Sequence, residues 1–119
     1  MLLPECGAGR VTPAQAHRAV EDGSALLADV REEDEFQAGH APAAFFLPLS
    51  RLAGGADLPG RMDGRDLLLI CRSGHRSQQA ARLLAGRGVT AVDVVGGMRA
   101  WAAACLPVQD AHGAAGSVI

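Results

Sequence analysis

Apolar positions along the chain change period several times, and each change marks an element. Ala16, Ala19 and Val20 recur at helical spacing behind Thr12-Pro13, an N-cap followed by proline at the first helical position, and Gly23 closes that helix. Ala25 to Val30 is a short apolar run holding Asp29 near its end, which predicts a buried strand. Glu32 to Ala38 predicts a short helix with acids in its first turn, where the dipole favours them, and Gly39 ends it. Ala44 to Leu47 is a second short strand between Pro42 and Pro48. Residues 50 to 65 hold Gly54, Gly55, Pro59, Gly60 and Gly64, a loop with one helical turn at its start. Leu67 to Ile70 is a continuous apolar strand. Residues 77 to 87 follow as a helix with Ala80, Leu83 and Leu84 on its apolar face, stopped by Gly88. Ala91 to Val95 is another strand. Gly96-Gly97 opens a last helix with Met98, Trp101 and Cys105 on one stripe, and Pro107 ends it. The small and polar residues beyond read as a frayed tail.

Strands alternating with helices predict an α/β domain with a central parallel sheet and helices on both faces. In such sheets ligands bind beyond the carboxyl ends of the strands, so a site is expected just after Ile70. The expected organisation is an N-terminal extension over 1–9, one domain over 10–108 and a flexible C-terminal tail over 109–119.

Composition narrows the function classes. At 119 residues and 49% apolar content the chain suits one compact domain with a real core. Its net charge of −2, from 11 basic and 13 acidic residues, gives no electrostatic reason to expect nucleic acid or a membrane surface as partner. No apolar run approaches the roughly 20 residues that span a bilayer. The start, Met1-Leu2-Leu3-Pro4-Glu5, lacks the basic and long apolar regions of a signal peptide, so none is expected. Cys6, Cys71 and Cys105 are too few and too far apart for a disulfide framework or a zinc site. A reducing cytoplasm, a free reactive thiol, and no metal or cofactor are expected.

The chemistry gathers where the sheet argument puts it. Cys71-Arg72-Ser73-Gly74-His75-Arg76-Ser77 joins a buried strand to a helix and carries a thiol, two arginines and a histidine with no acid among them. The free N–H groups and positive dipole end of the following helix, the charge of Arg72 and Arg76, and an anion nest formed around Gly74 all favour thiolate over thiol. The thiolate is the nucleophile, and the same cradle would stabilise a persulfide anion. A thiol that reacts here is expected to be reachable from solvent.

That loop resembles the active-site loop of rhodanese-like domains. Asp29-Val30-Arg31 with Glu35-Phe36, then Gly39-His40, Pro42 and Pro48-Leu49, resembles the family's first signature. Gly96-Gly97, Trp101 and Leu106-Pro107 resemble its C-terminal one, so the likeness covers roughly residues 10 to 108. The resemblance implies that Cys71 accepts a sulfane sulfur as a persulfide and passes it to a nucleophile such as cyanide or a thiol. It implies that residues 71 to 76 form the cradle and that Arg72 and Arg76 orient a small anionic donor such as thiosulfate. A protein donor or acceptor would use the same residues. Asp29 is expected to support the loop through hydrogen bonds.

The fold is shared with some phosphatases and arsenate reductases, whose catalytic loops are one residue longer. The four residues between Cys71 and Arg76 make a narrower ring of N–H groups, suited to one sulfur atom rather than a phosphate. The other alternative is a rhodanese-like binding or regulatory module, which commonly lacks the cysteine.

Several other residues carry expectations. His75 reads as solvent-facing and His40 as a structural hydrogen-bonding residue. Arg31 and Glu35, four apart, are expected to pair or brace the fold, with an active-site role for Arg31 the lesser expectation. Glu32 to Glu35 read as a solvated helix face. Ser77 caps the helix or donates to the sulfur, and both roles are open. The family often has glycine where Ala43 and Cys105 stand; Cys105 reads as a small core thiol. One of Phe45 and Phe46 is expected to be exposed. Cys6 lies in the N-terminal extension.

Overall fold

The computed structural model describes residues 10–55, 57–58 and 64–119. The expected extension over 1–9 with Cys6, and Pro59 and Gly60 of the glycine-rich loop, lie outside the described residues.

Among the described residues five strands, β1 (Arg10–Val11), β2 (Ala25–Asp29), β3 (Phe45–Phe46), β4 (Asp66–Ile70) and β5 (Ala91–Val94), form one sheet in the order β1-β5-β4-β2-β3. Every pairing is parallel. The connections carry helices α1 (Pro13–Glu21), α2 (Glu33–Ala38), α3 (Leu49–Ala53), α4 (His75–Gly86) and α5 (Gly97–Ala103). Thr12 and Gln15 close a reciprocal capping box at the start of α1, which is why the helix begins at Pro13.

Successive side chains of β4 point to opposite faces and divide the core. Leu68 and Ile70 pack with Ala16 and Ala19 of α1 and Met98 and Trp101 of α5. Leu67, Leu69 and Cys71 pack with Leu52 of α3 and Ala80 and Leu84 of α4. Helices therefore cover both faces. The same parity sends the Cys71 side chain to the α4 side.

Besides the unpredicted strand β1 and the start of α4 at His75 rather than 77, the structure departs from the sequence pattern in four places. Leu83 is 40% exposed, because Ala80 and Leu84, four apart, take the face toward the sheet and Leu83 is turned away from Leu84 by about 100°. Phe45 and Phe46 are both half-buried, and Phe46 lies between the Phe36 ring and the Arg51 guanidinium. Cys105 is neither on the α5 stripe nor in the core. The helix ends at Ala103 in a Schellman motif, with the Cys105 N–H on the Ala102 carbonyl at 2.9 Å and the Leu106 N–H on the Trp101 carbonyl at 3.3 Å. Cys105 thus occupies the left-handed position, φ 59°, and is exposed.

The fourth place is the segment expected to fray. Gln109 exchanges backbone hydrogen bonds with His40 at 2.8 and 2.9 Å, the Ala111 N–H reaches the Gln37 carbonyl at 3.0 Å, and the Ser117 N–H reaches the Ala38 carbonyl at 2.9 Å. Val108 and Val118 pack on the core. Gly39 has extended backbone, φ 177°, so its lack of a side chain matters for another reason. A Cβ there would collide with the backbone of Ser117. The tail escapes a periodicity search because backbone bonds, not an amphipathic face, hold it in place.

Candidate active site

β4 delivers Cys71 to the carboxyl edge of the sheet, and the chain turns there into α4. Gly74, left-handed at φ 111°, makes the turn and is the N-cap of α4. Its N–H points back and donates to Cys71 Sγ at 3.0 Å. Ser77 Oγ stands 3.4 Å from the same sulfur and 3.3 Å from the Gly74 carbonyl. Of the two roles left open for Ser77, capping falls to Gly74, the N-cap of α4, and the Ser77 hydroxyl lies within hydrogen-bond reach of the sulfur. Cys71 itself is buried at 1% exposure, so the expected open access to the thiol is not present in this conformation.

The start of α5 fixes the loop from the other side. The Met98 and Arg99 N–H groups donate to the Cys71 and Arg72 carbonyls at 2.7 and 3.0 Å. Gly97 sits at φ 58°, and a Cβ there would collide with the carbonyl of Cys71 and the backbone of Arg72. This close approach is the physical reason for glycine at that position.

The polar loop residues are distributed unevenly. Arg72, Ser73 and His75 are exposed, as expected for His75. Arg76 is half-buried and clamps Glu35 with two hydrogen bonds of 2.5 and 2.7 Å. That clamp holds the Glu35 carboxyl below its ordinary range, and the carboxylate in turn pushes the Arg76 guanidinium up. Much of the Arg76 charge is thus already matched by a carboxylate.

Glu35 does not meet Arg31, the partner expected for it. The i, i+4 rule applies only within one helix, and Arg31 precedes the Glu32 N-cap. Arg31 turns inward and clamps Asp29, with Nε–Oδ1 at 3.0 Å and Nη2–Oδ2 at 2.8 Å, and its Nη2 also donates to the Gly39 carbonyl at 2.6 Å. Both residues are fully buried, and Arg31 Nη1 has no hydrogen-bond partner among the described residues. Asp29 also accepts the Arg31 N–H at 3.0 Å. None of its hydrogen bonds among the described residues reaches residues 71 to 77. The hydrogen-bonded support expected from Asp29 is therefore absent. The pair braces the end of β2, where the Val30 N–H bonds the Ile70 carbonyl at 2.9 Å beside the loop. His40 is structural, with Nδ1 2.7 Å from the Phe36 carbonyl and its ring stacked on Phe36.

Sequence reasoning missed two residues. Asp93 of β5 is 2% exposed, and its carboxylate accepts from Ser77 Oγ on one oxygen and from Arg10 Nε at 2.8 Å on the other. A lone acid in the apolar run Ala91 to Val95, on a strand beside β4, was the signal available. Arg10 lies on a strand too short to show any pattern. Among the described residues no group of histidines, cysteines or acids is arranged to hold a metal ion, and no helix is long and apolar enough to cross a membrane.

Comparison with known proteins agrees with this fold. A family model described as rhodanese-like domain matches residues 12–104. The adenylyltransferase and sulfurtransferase UBA4 of Yarrowia lipolytica is 34% identical over 93 residues, covering 78% of this chain and 23% of that protein. The HTH-type transcriptional regulator Rv0324 of Mycobacterium tuberculosis is 38% identical over 105 residues, covering 84% of this chain and 44% of that one. The chain thus spans less than half the length of these two relatives. Among solved structures, the human single-domain sulfurtransferase TSTD1 superposes with a TM-score of 0.70 at 29% identity, over 82% of this chain and 97% of its own.

Proposed function

The chain belongs to the rhodanese-like domain family, and from that premise we propose that it is a sulfurtransferase carrying sulfur as a persulfide on Cys71. In this reading the Cys71 thiolate attacks the outer sulfur of an anionic donor such as thiosulfate. An S–S bond forms to Cys71, the donor's own S–S bond breaks, and sulfite leaves with the electron pair. Cyanide or a thiol then takes the outer sulfur and releases the Cys71 thiolate. The observation that carries the reading is the Gly74 N–H at 3.0 Å from Cys71 Sγ, at the helix start where negative charge is favoured. Arg72, Ser73 and His75, exposed at the rim, are the residues a donor meets first, and Arg72 supplies the attracting charge. Arg76 contributes less than its position in the loop suggests, because Glu35 already binds it. Since Cys71 is 1% exposed, a donor reaches it only when the side chains or loop above it move aside. The free thiols suit a reducing cytoplasm. Residues 10–108 are the functional unit in this reading.

A second reading, as a binding or regulatory module, draws on that burial and on the likeness to a transcriptional regulator. The two separate by turnover. The sulfurtransferase reading expects thiocyanate to form from thiosulfate and cyanide, with none formed by Cys71→Ser and no hydrolysis of an aryl phosphate by either protein. Absence of thiocyanate with thiosulfate and with a small persulfide donor would favour the module.

A further inference from the structure

A thiol sealed from solvent cannot give its proton directly to bulk water. Among the described residues, Cys71 Sγ has two hydrogen-bond partners, the Gly74 N–H and Ser77 Oγ. The amide has no lone pair to accept a proton. Ser77 Oγ does, and it lies against the Asp93 carboxylate. A hydroxyl has one hydrogen. With that hydrogen on the carboxylate, the Ser77 lone pair faces the thiol. The line Cys71, Ser77, Asp93 is buried throughout, at 1%, 0% and 2% exposure. It ends on Arg10, whose side chain is 34% exposed and whose guanidinium lies against Gly74.

We propose that Asp93 is the proton acceptor for Cys71, reached through the Ser77 hydroxyl. The proposal rests on the sulfurtransferase reading and names the residues that deprotonate its nucleophile. On loading, the Cys71 proton passes to Ser77 Oγ and the Ser77 hydroxyl proton passes to Asp93. The Cys71 thiolate then attacks the donor's outer sulfur, and the leaving group departs with the electron pair of the broken S–S bond. On discharge, the acceptor takes the outer sulfur, Cys71 leaves as thiolate, and Asp93 returns the proton through Ser77. Asp93 ends each cycle as it began. Other charged or titratable groups on the surrounding elements include Arg10 on β1, Asp29 and Arg31 at the end of β2, Glu35 on α2, Arg72, His75 and Arg76 on the loop and α4, and Arg99 on α5. Of these, Arg76 interacts electrostatically with Cys71. Among the described residues, Asp93 alone is hydrogen-bonded to it through an intervening hydroxyl.

The test is the rate of iodoacetamide alkylation of Cys71 against pH, measured on the Cys71 peptide by mass spectrometry. It compares the full chain with Asp93→Asn, Ser77→Ala and the double variant. The relay predicts that each single variant slows alkylation near neutral pH by about a hundredfold, the low end for a positioned proton transfer. It predicts recovery at alkaline pH, and a double variant no slower than either single one. Asp93→Asn reacting as fast as the native chain would overturn the proposal. So would faster reaction, the result expected if Asp93 acted only through its negative charge. Ser77→Ala leaves the Asp93–Arg10 pair in place and discriminates in the same way if Asp93→Asn does not fold. Sulfur loading from thiosulfate and from a small persulfide donor is measured in parallel on the native chain. Loading with an unchanged alkylation profile in the variants defeats the relay and keeps the sulfurtransferase. No loading from thiosulfate or from a small persulfide donor, with a shifted profile, keeps the relay and defeats the sulfurtransferase.

Discussion

The two described cysteines lie near opposite ends of α5 in opposite circumstances. The start of α5 grips the Cys71 loop, with Met98 N–H on the Cys71 carbonyl at 2.7 Å, and the sulfur is buried under a backbone N–H. Cys105 follows the other end, exposed and left-handed at φ 59°, in a slot that glycine fills without strain. Both thiols are free. The two surroundings differ in what reaches the sulfur: a backbone N–H lies on Cys71 Sγ, whereas Cys105 stands exposed past a helix end.

The contrast is undone most severely by disturbing the grip on Cys71. Gly97→Ala puts a Cβ into the Cys71 carbonyl and a side chain at positive φ. Chemical denaturation should show a loss of about 3 kcal/mol, the upper part of the usual range for single substitutions, and sulfur transfer should fall with it. Unchanged stability would mean that the α5 contact does not constrain the loop.

Glu35→Gln acts more mildly. The pair is partly exposed, so stability should fall by less than about 1 kcal/mol. Freed from its carboxylate, Arg76 should lower the KM for thiosulfate, read in steady-state kinetics; a raised KM would mean that Glu35 serves to position Arg76. The pH dependence has a definite sign. The Glu35 carboxyl is depressed in the folded state, chiefly by its hydrogen bonds from Arg76, so its contribution is complete above the ordinary value of 4.5. It is lost as pH falls below that value, and acid denaturation of Glu35→Gln should show a correspondingly weaker slope there.

The gentlest change lies at the other thiol. Cys105→Gly should stabilise the chain by about 0.5 kcal/mol, because relief of left-handed strain of about 1 kcal/mol outweighs the added freedom of the unfolded glycine. It should leave sulfur transfer unchanged. A shift in the midpoint of thermal unfolding checks the first part and a turnover assay the second.

Local signals in the sequence reveal the central strands, the helix caps and the Cys71 loop. Leu67 to Ile70 is uninterrupted and apolar, and a cationic loop after it stands out against that run. What stays hidden depends on residues far apart in the chain. Arg76 and Glu35 are 41 positions apart and Arg10 and Asp93 are 83 apart, so no periodicity links either pair. Arg31 takes a partner other than the expected one because helical spacing does not carry across a helix boundary. The tail's backbone bonds to residues 37 to 40 stay hidden because small and polar side chains do not advertise them.

Whether Cys71 carries sulfur is decided by intact-protein mass spectrometry after incubation with thiosulfate. A persulfide on Cys71 predicts a gain of one sulfur atom that cyanide removes, retained in Cys105→Ser and absent in Cys71→Ser. A gain that survives in Cys71→Ser would contradict it.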